Sequence, residues 1–375
     1  MKVLSLTNEF GEEHFGGAGT AVTGMLRMFS QQGVQQVVVV PDSRRNEPAW
    51  VIRHGNIKIF SLPRTEAYFG YLGFINSEKV LLELPELRED WDLIHIHAIN
   101  FAPLTYALSG GRIPILYSVY SILREELGNN LAPELQAQFA FQEELFTKCQ
   151  RIHLMSQSVG HYINTKFPEL LKRTKVVPLG INPSQERWLG GNPNALLYVG
   201  RLLGYKGIED LIKALYLVKQ SGRTFTLDIV GRGADDYENR LKVLVKSQKL
   251  GNHVRFHGWQ NNQQSVEQWM KASGLLIVPS HKEAYGLVAL EGMATGVPLI
   301  ISKAGGLAEL ANYSCALTFD AGNIGQLVRA INKALDNPAL MHSLARTAQQ
   351  RAAALEWSKL IPKYLELYSE TIRNA

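Results

Sequence analysis

Pro279-Ser-His-Lys-Glu-Ala-Tyr-Gly-Leu-Val-Ala-Leu-Glu-Gly-Met-Ala-Thr-Gly-Val-Pro298 sets two carboxylates, Glu283 and Glu291, eight residues apart with glycines between and after them. Ahead of it, Gly274-Leu-Leu-Ile-Val278 is a short apolar run that reads as a buried parallel strand, and Val288 to Thr295 has the apolar spacing of a helix. The two acids would then stand at a strand's C-terminal edge and on the helix that follows. Open α/β sheets bind ligands at that edge, where carboxylates can accept hydrogen bonds from neighbouring hydroxyls of a sugar or a ribose. A surface turn followed by a solvated helix face is the plainer reading of the same pattern.

Upstream, Ala195-Leu-Leu-Tyr-Val-Gly-Arg-Leu-Leu-Gly-Tyr-Lys-Gly207 opens a sheet and leaves Arg201 and Lys206 in a Gly-punctuated loop before a helix from Ile208 to Lys219. A guanidinium fork and an ammonium beside a helix N-terminus suit the two phosphates of a diphosphate. Two further strands, Phe225–Val230 and Val254–His257, run into Gly231-Arg-Gly233 and Gly258-Trp-Gln260. Downstream, Leu299–Ser302 runs into Lys303-Ala-Gly-Gly, where Gly305 and Gly306 offer backbone donors before another helix.

The first half repeats the theme. Val3–Leu6 is a strand, Phe15-Gly-Gly-Ala-Gly-Thr20 is a glycine loop, and Ala21–Phe29 is helical. Gly16, Gly17 and Gly19 let backbone approach an anion at a helix N-terminus, although such a loop is equally consistent with an ordinary turn. Val37–Val40 and Ile57–Ser61 give second and third strands. Asp92-Leu-Ile-His-Ile-His97 gives another, with His97 at its ligand end and His95 inside it as a hydrogen-bonded core histidine. Ile113–Tyr120, Arg151–Met155 and Lys175–Asn182 follow as strands, and helical stretches between them mean βαβ units in a doubly wound parallel sheet. Asn182–Asn194, rich in Pro, Gly and Asn, reads as the linker.

The chain's 375 residues, 46% hydrophobic and 19% charged, suit two globular domains. The net charge of +5 is uneven: residues 1–182 hold 17 basic and 18 acidic side chains, and residues 183–375 hold 22 and 16. Without a dense basic run interleaved with aromatics, the excess suits a phosphate-bearing small molecule and not a nucleic acid. Cys149 and Cys315 match no metal or redox spacing, the start reads as a strand and not a signal peptide, and no apolar run reaches the roughly 20 residues of a membrane helix. The expectation is a cytoplasmic protein with no integral membrane segment, peripheral contact remaining open.

These motifs resemble the GT-B fold glycosyltransferases of the retaining group called family 4. Gly200-Arg201 with Lys206-Gly207, the Glu283 to Glu291 motif, Gly296-Val-Pro298 and Gly305-Gly306 with Glu309 stand in that family's order. Phe15-Gly-Gly-Ala-Gly is similar to its glycine loop, as in glycogen and starch synthases, Val177-Pro-Leu-Gly-Ile-Asn182 to its domain-end strand, and Trp357-Ser358 to the start of its terminal helix. The resemblance implies two Rossmann-like doubly wound domains facing a central cleft. These are an acceptor-side domain over 1–182, a nucleotide-sugar domain over 183–355, and a helix over 356–375 that crosses back to the first. It implies a UDP-, GDP- or ADP-sugar donor, a saccharide or other hydroxyl acceptor, and neither metal nor cofactor.

By the same resemblance Arg201 and Lys206 would neutralise the donor diphosphate, Glu283 would hold sugar hydroxyls and Glu291 the ribose. Gly16, Gly17, Gly19, Gly258, Gly305 and Gly306 would line the donor, with His97 and Tyr120 near acceptor or sugar. Two positions depart from the pattern. Tyr120 stands where the family commonly has His, and His14-Phe15 stands where glycogen synthases carry a Lys before the loop. A GT-B sugar-nucleotide epimerase, needing no acceptor, and a non-catalytic nucleotide-sugar-binding protein are the rival readings.

Overall fold

The computed structural model describes residues 1–375 except 12–15, 54–56, 71–72, 129–132, 185–187, 189, 261, 313 and 375. His14 and Phe15 of the glycine loop lie outside the described residues. The chain divides into two compact units, Met1–Gly180 with Trp357–Ala375, and Ile181–Glu356.

Among the described residues the first unit is built on eight strands: β1 (Lys2–Leu6), β2 (Gln35–Asp42), β3 (Ala49–Arg53), β4 (Ile57–Pro63), β5 (Leu93–Ile96), β6 (Ile115–Val119), β7 (Arg151–Leu154) and β8 (Thr174–Val176). Their order is β3-β4-β2-β1-β5-β6-β7-β8, and every pairing is parallel except β3 with β4. The helices are α1 (Gly17–Gln31), α2 (Ser77–Glu83), α3 (Ala102–Ser109), α4 (Leu123–Leu127), α5 (Pro133–Lys148) and α6 (Gln157–Lys166). Parallel strands sandwiched by helices must be apolar on both faces, and β1, β5 and β6 are buried along nearly their whole length.

Among the described residues the second unit has six parallel strands: β9 (Asn192–Val199), β10 (Thr226–Val230), β11 (Val254–Gly258), β12 (Ser273–Val278), β13 (Leu299–Ser302) and β14 (Leu317–Phe319). They are ordered β11-β10-β9-β12-β13-β14. Its helices are α7 (Ile208–Gln220), α8 (Asp235–Ser247), α9 (Gln263–Ala272), α10 (Leu287–Thr295), α11 (Gly305–Leu310), α12 (Ile324–Asp336) and α13 (Pro338–Ala353). The strand order reverses direction at β9/β12, which is the switch point where doubly wound sheets open a crevice for ligands. The core is continuous: Leu196, Ile229 and Ile277 from the sheet meet Leu211, Leu215 and Ile331 from the helices, all fully buried.

The last helix, α14 (Trp357–Arg373), belongs to the first unit and packs against α1, β5 and β6. Its seat is shaped by two glycines. A Cβ on Gly24 would stand 2.3 Å from Trp357 Nε1, and one on Gly180 would stand 2.4 Å from Trp357 Cδ2, so the indole occupies the space two side chains would need. Tyr364 and Tyr368, one turn apart, follow it into the core and are fully buried.

Three sequence readings are corrected. An antiparallel edge strand, β3, precedes the expected third strand. The strand expected over Lys175–Asn182 ends at Val176. The linker expected over Asn182–Asn194 gives way to β9 at Asn192, because Gly191 and Gly274 let the two backbones close up: a Cβ on Gly274 would stand 2.0 Å from the Asn192 carbonyl oxygen. Among the described residues no helix is long and apolar enough to cross a membrane.

Candidate functional site

On the second unit the site begins at the C-terminal ends of β9 and β12. Gly200 leaves β9 with its N–H donated to Val230 O at 3.0 Å, and a turn over Gly204–Lys206 leads into α7. Gly207 joins turn to helix at φ +73°, and a Cβ there would lie 2.0 Å from the Pro279 carbonyl oxygen. Only glycine allows both the left-handed backbone and this approach. The contact sets the cationic turn directly on the first residue of the Pro279–Pro298 stretch.

The approach brings Lys206 to Glu283, Nζ to Oε2, at 2.8 Å. Both side chains keep only 17% of their surface accessible, so the pair is more strongly felt than a surface ion pair. Ser280 Oγ donates to the same Oε2 at 3.3 Å, which leaves Oε1 with no partner among the described contacts. Arg201 is exposed; its Nη2 donates to Tyr205 Oη at 3.3 Å, and its carbonyl accepts from Tyr198 Oη at 2.9 Å. The structure thus gathers Arg201, Lys206 and Glu283 on one turn and one strand end.

Glu291 lies on α10, facing α9. Its Oε1 accepts from Gln263 Nε2 at 3.1 Å. Burial, and then the neighbouring carboxylate of Glu267, push it up to about 7. Gly258 ends β11 at φ +68° and accepts from Gly231 N at 2.8 Å, beside the register shift at Ile229/Val230. Gly305 begins α11. The Gly306 N–H, expected to face the donor, donates to Glu283 O at 2.9 Å and holds the acidic loop.

Sequence reasoning missed several partners of this site. His281 Nε2 meets Asp210 Oδ2 at 2.7 Å, and His281 N donates to Tyr205 O at 2.7 Å, tying the motif to α7 and once more to the cationic turn. Ser302 Oγ donates to Ser280 O at 2.5 Å and ties in β13. His281 stood inside the deciding stretch, and its companion Asp210 was marked only by a place in the first turn of α7.

On the first unit Gly16 precedes α1 in extended backbone, with Gly17 and Gly19 in its first turn and no side chain capping it. His97 follows β5, donates its N–H to Leu6 O at 2.8 Å, and is 7% exposed. Its Nδ1 meets Tyr120 Oη at 3.1 Å, and its buried Nε2 has no partner among the described residues. Burial, then His153, pull His97 down to about 3, and burial raises the Tyr120 phenol, so both are neutral at physiological pH. Among the described residues no group of three or more His, Cys, Asp or Glu gathers as metal ligands.

Comparison with known proteins identifies the family. Residues 15–185 match Glycosyltransferase Family 4, and residues 184–351 match Glycosyl transferases group 1. The glycogen synthase of Mycobacterium tuberculosis is 28% identical over 299 residues, 76% of this chain and 72% of that protein. The sucrose-phosphate synthase of Thermosynechococcus elongatus superposes with a TM-score of 0.78 at 20% identity, covering 100% of both chains. HepE of Anabaena, solved in complex with UDP and glucose, gives 0.75 at 21% identity over 99% of this chain and 100% of that one. With two adjoining family matches spanning residues 15–351 and the whole chain matched in fold, the protein belongs to the GT-B glycosyltransferases of family 4.

Proposed function

We propose that the protein transfers a hexose from a nucleotide diphosphate sugar to a saccharide hydroxyl with retention of anomeric configuration. The observation that carries this is the Lys206–Glu283 pair with Arg201 on the same turn. Arg201 has N–H donors to spare for one phosphate, and Lys206 is held by Glu283 where the second phosphate would need its charge. Glu283 Oε1 is left to accept from sugar hydroxyls, and the carboxylate of Glu291 to accept from a ribose. The glycogen synthase and sucrose-phosphate synthase likenesses, and HepE with UDP and glucose, support a donor of this class.

In the reaction the bond from the sugar's anomeric carbon to the diphosphate oxygen breaks, and a bond to the acceptor oxygen forms on the same face. The acceptor's proton passes to the leaving phosphate. Charge grows on that phosphate, and Arg201 and Lys206 stabilise it more in the transition state than in the ground state, which is what accelerates the step. On the first unit, His97 with its unpartnered Nε2 and Tyr120 with its phenol offer neutral hydrogen bonds to a sugar hydroxyl.

The test is a calorimetric panel of UDP, GDP and ADP with their glucose, galactose, mannose and N-acetylglucosamine forms. The expected result is base-selective binding that Glu291→Ala abolishes. No binding to any member would overturn the reading, and conversion of the sugar nucleotide without an acceptor would replace it with an epimerase.

A further inference from the structure

The outer face of α7 and α8, on the second unit, carries charge that donor binding leaves unused. α7 joins β9 to β10 and α8 joins β10 to β11, three neighbouring parallel strands, so the two helices run side by side in the same direction on one face of the sheet. Lys219 Nζ donates to the Lys249 carbonyl oxygen at 2.7 Å and ties their C-terminal ends together. Leu211, Leu215 and Val218 of α7 and Tyr237, Leu241 and Val245 of α8 face the core. The positions between them face out.

Acids and cations are segregated along both helices. Glu209 and Asp210 on α7, and Asp235, Asp236 and Glu238 on α8, all lie in the first turn. Beyond that turn the stretch Arg240 to Lys249 holds no acid, and its cations Arg240, Lys242, Lys246 and Lys249 are all exposed and form no ion pair among the described residues. The helix dipole accounts for acids in a first turn and for a lysine in a last one, but not for Arg240 and Lys242 in the middle of α8. Nor does it account for Val243, 67% exposed between Lys242 and Lys246, or for Leu217 on α7, 45% exposed. Both aliphatic side chains stand about one turn short of the tied ends, so they lie at one height among the cations.

We propose that this face docks on an anionic lipid surface. Unpaired ammonium and guanidinium groups answer the phosphates of the headgroups, and the two aliphatic side chains enter the boundary between headgroups and acyl chains. Each cation brought against such a surface strengthens binding about five-fold, so the four act together where one would not hold. A nucleic acid would be gripped by cations and by aromatic rings stacked on its bases, and the exposed apolar side chains here are aliphatic. A second copy meeting this face about a two-fold axis would set like charges against each other. The docking is separate from donor binding, which uses the strands' C-terminal ends, and neither depends on the other.

The experiment is co-sedimentation of the full chain with vesicles of phosphatidylcholine alone and of equal parts phosphatidylcholine and phosphatidylglycerol. The mixed vesicles should bind about ten-fold more tightly or better at about 0.1 M salt, and the preference should shrink as salt is raised to about 0.5 M. Lys242→Ala combined with Lys246→Ala should weaken binding to the mixed vesicles about 25-fold, and Val243→Ser should weaken it about five-fold with the salt dependence kept. Both variants change exposed side chains, so thermal unfolding and the UDP Kd should stay as in the wild type. Equal binding to the two kinds of vesicle, or undiminished binding in both variants, would overturn the proposal. Tighter binding of duplex DNA or RNA than of the mixed vesicles at the same salt would overturn it too. Failure of the wild type to bind UDP would overturn the donor reading alone.

Discussion

The Tyr368 hydroxyl on α14 and Nδ1 of His95 on β5 stand 2.7 Å apart across 273 residues of sequence. The bond is one end of a chain: His95 Nε2 meets Ser118 Oγ, Ser118 Oγ meets His153 Nδ1, each at 2.7 Å, and His153 Nε2 meets Val177 O at 2.8 Å. A carbonyl only accepts, so His153 donates from Nε2, Ser118 donates to His153, His95 donates to Ser118, and Tyr368 donates to His95. Every member is satisfied with both imidazoles neutral. Tyr368→Phe would leave a buried ring nitrogen bare and should destabilise the protein by about 1–3 kcal/mol, read from denaturant unfolding.

The same neutrality fixes an acid limit. Burial holds His95 well below its usual 6.5, His97 near 3 and His153 near 4. The unfolded chain takes up these protons from about pH 6.5 downward and the folded chain does not, so stability is intact above 6.5 and is lost as pH falls towards 4 and 3. Unfolding monitored at pH 7, 5.5 and 4 should show that decline, and His97→Gln should make it shallower.

For the cations, Arg201→Ala and Lys206→Ala should each lower kcat by about 10²–10³, the usual loss when one oriented donor is removed from a transition state. Steady-state kinetics with the sugar nucleotide identified by the binding panel would measure it. Wild-type turnover in the double variant would remove both residues from the mechanism.

Nucleotide binding should depend on pH through Glu291. With its carboxyl near 7, the acid is largely protonated at pH 6 and ionised at pH 8, and only the ionised form accepts from two ribose hydroxyls at once. The Kd for UDP, GDP or ADP, whichever binds, should fall across that interval. Glu291→Gln should bind weakly at both values with the dependence gone.

Gly207→Ala tests whether the cationic turn must touch Pro279. A methyl placed 2.0 Å from a carbonyl oxygen, on a residue at φ +73°, forces the turn away from β12. The variant should stay folded but lose on the order of 1–3 kcal/mol of stability, with kcat reduced alongside as Lys206 leaves Glu283. Thermal unfolding and kcat measured on one preparation separate the two effects.

The second unit was the more legible in sequence, for reasons visible in particular residues. Gly274–Val278 is apolar because β12 is covered on both faces, and the glycines at 200, 207 and 296 punctuate β9, α7 and α10 where the backbone turns. β3 was legible and was missed: Ala49-Trp-Val-Ile-Arg53 is a short β-branched and aromatic run, and Gly55-Asn56 between it and Ile57 is a turn signal for an antiparallel return. His95 was read as a core histidine from its place inside a strand, but its partners Ser118 and Tyr368 are set by packing, which no local pattern encodes. The partner of the Gly306 amide was not legible, because a glycine before a helix looks alike in sequence whether its N–H meets a ligand or, as here, the Glu283 carbonyl.

The return of α14 to the first unit also sets an order of events during synthesis. Ile181 pairs with Glu356, so the second unit begins and ends at adjoining points, and the first unit is finished only by residues made after all of the second. At roughly 5–20 residues per second, ribosomes need on the order of ten seconds or more to travel from Gly180 to Trp357. Throughout that interval the places of Trp357, Tyr364 and Tyr368 stand open in the nascent first unit. A newly made chain is then a natural client for chaperones, and ribosome-stalled chains ending before Trp357 should be cut by protease in the first unit more readily than finished ones.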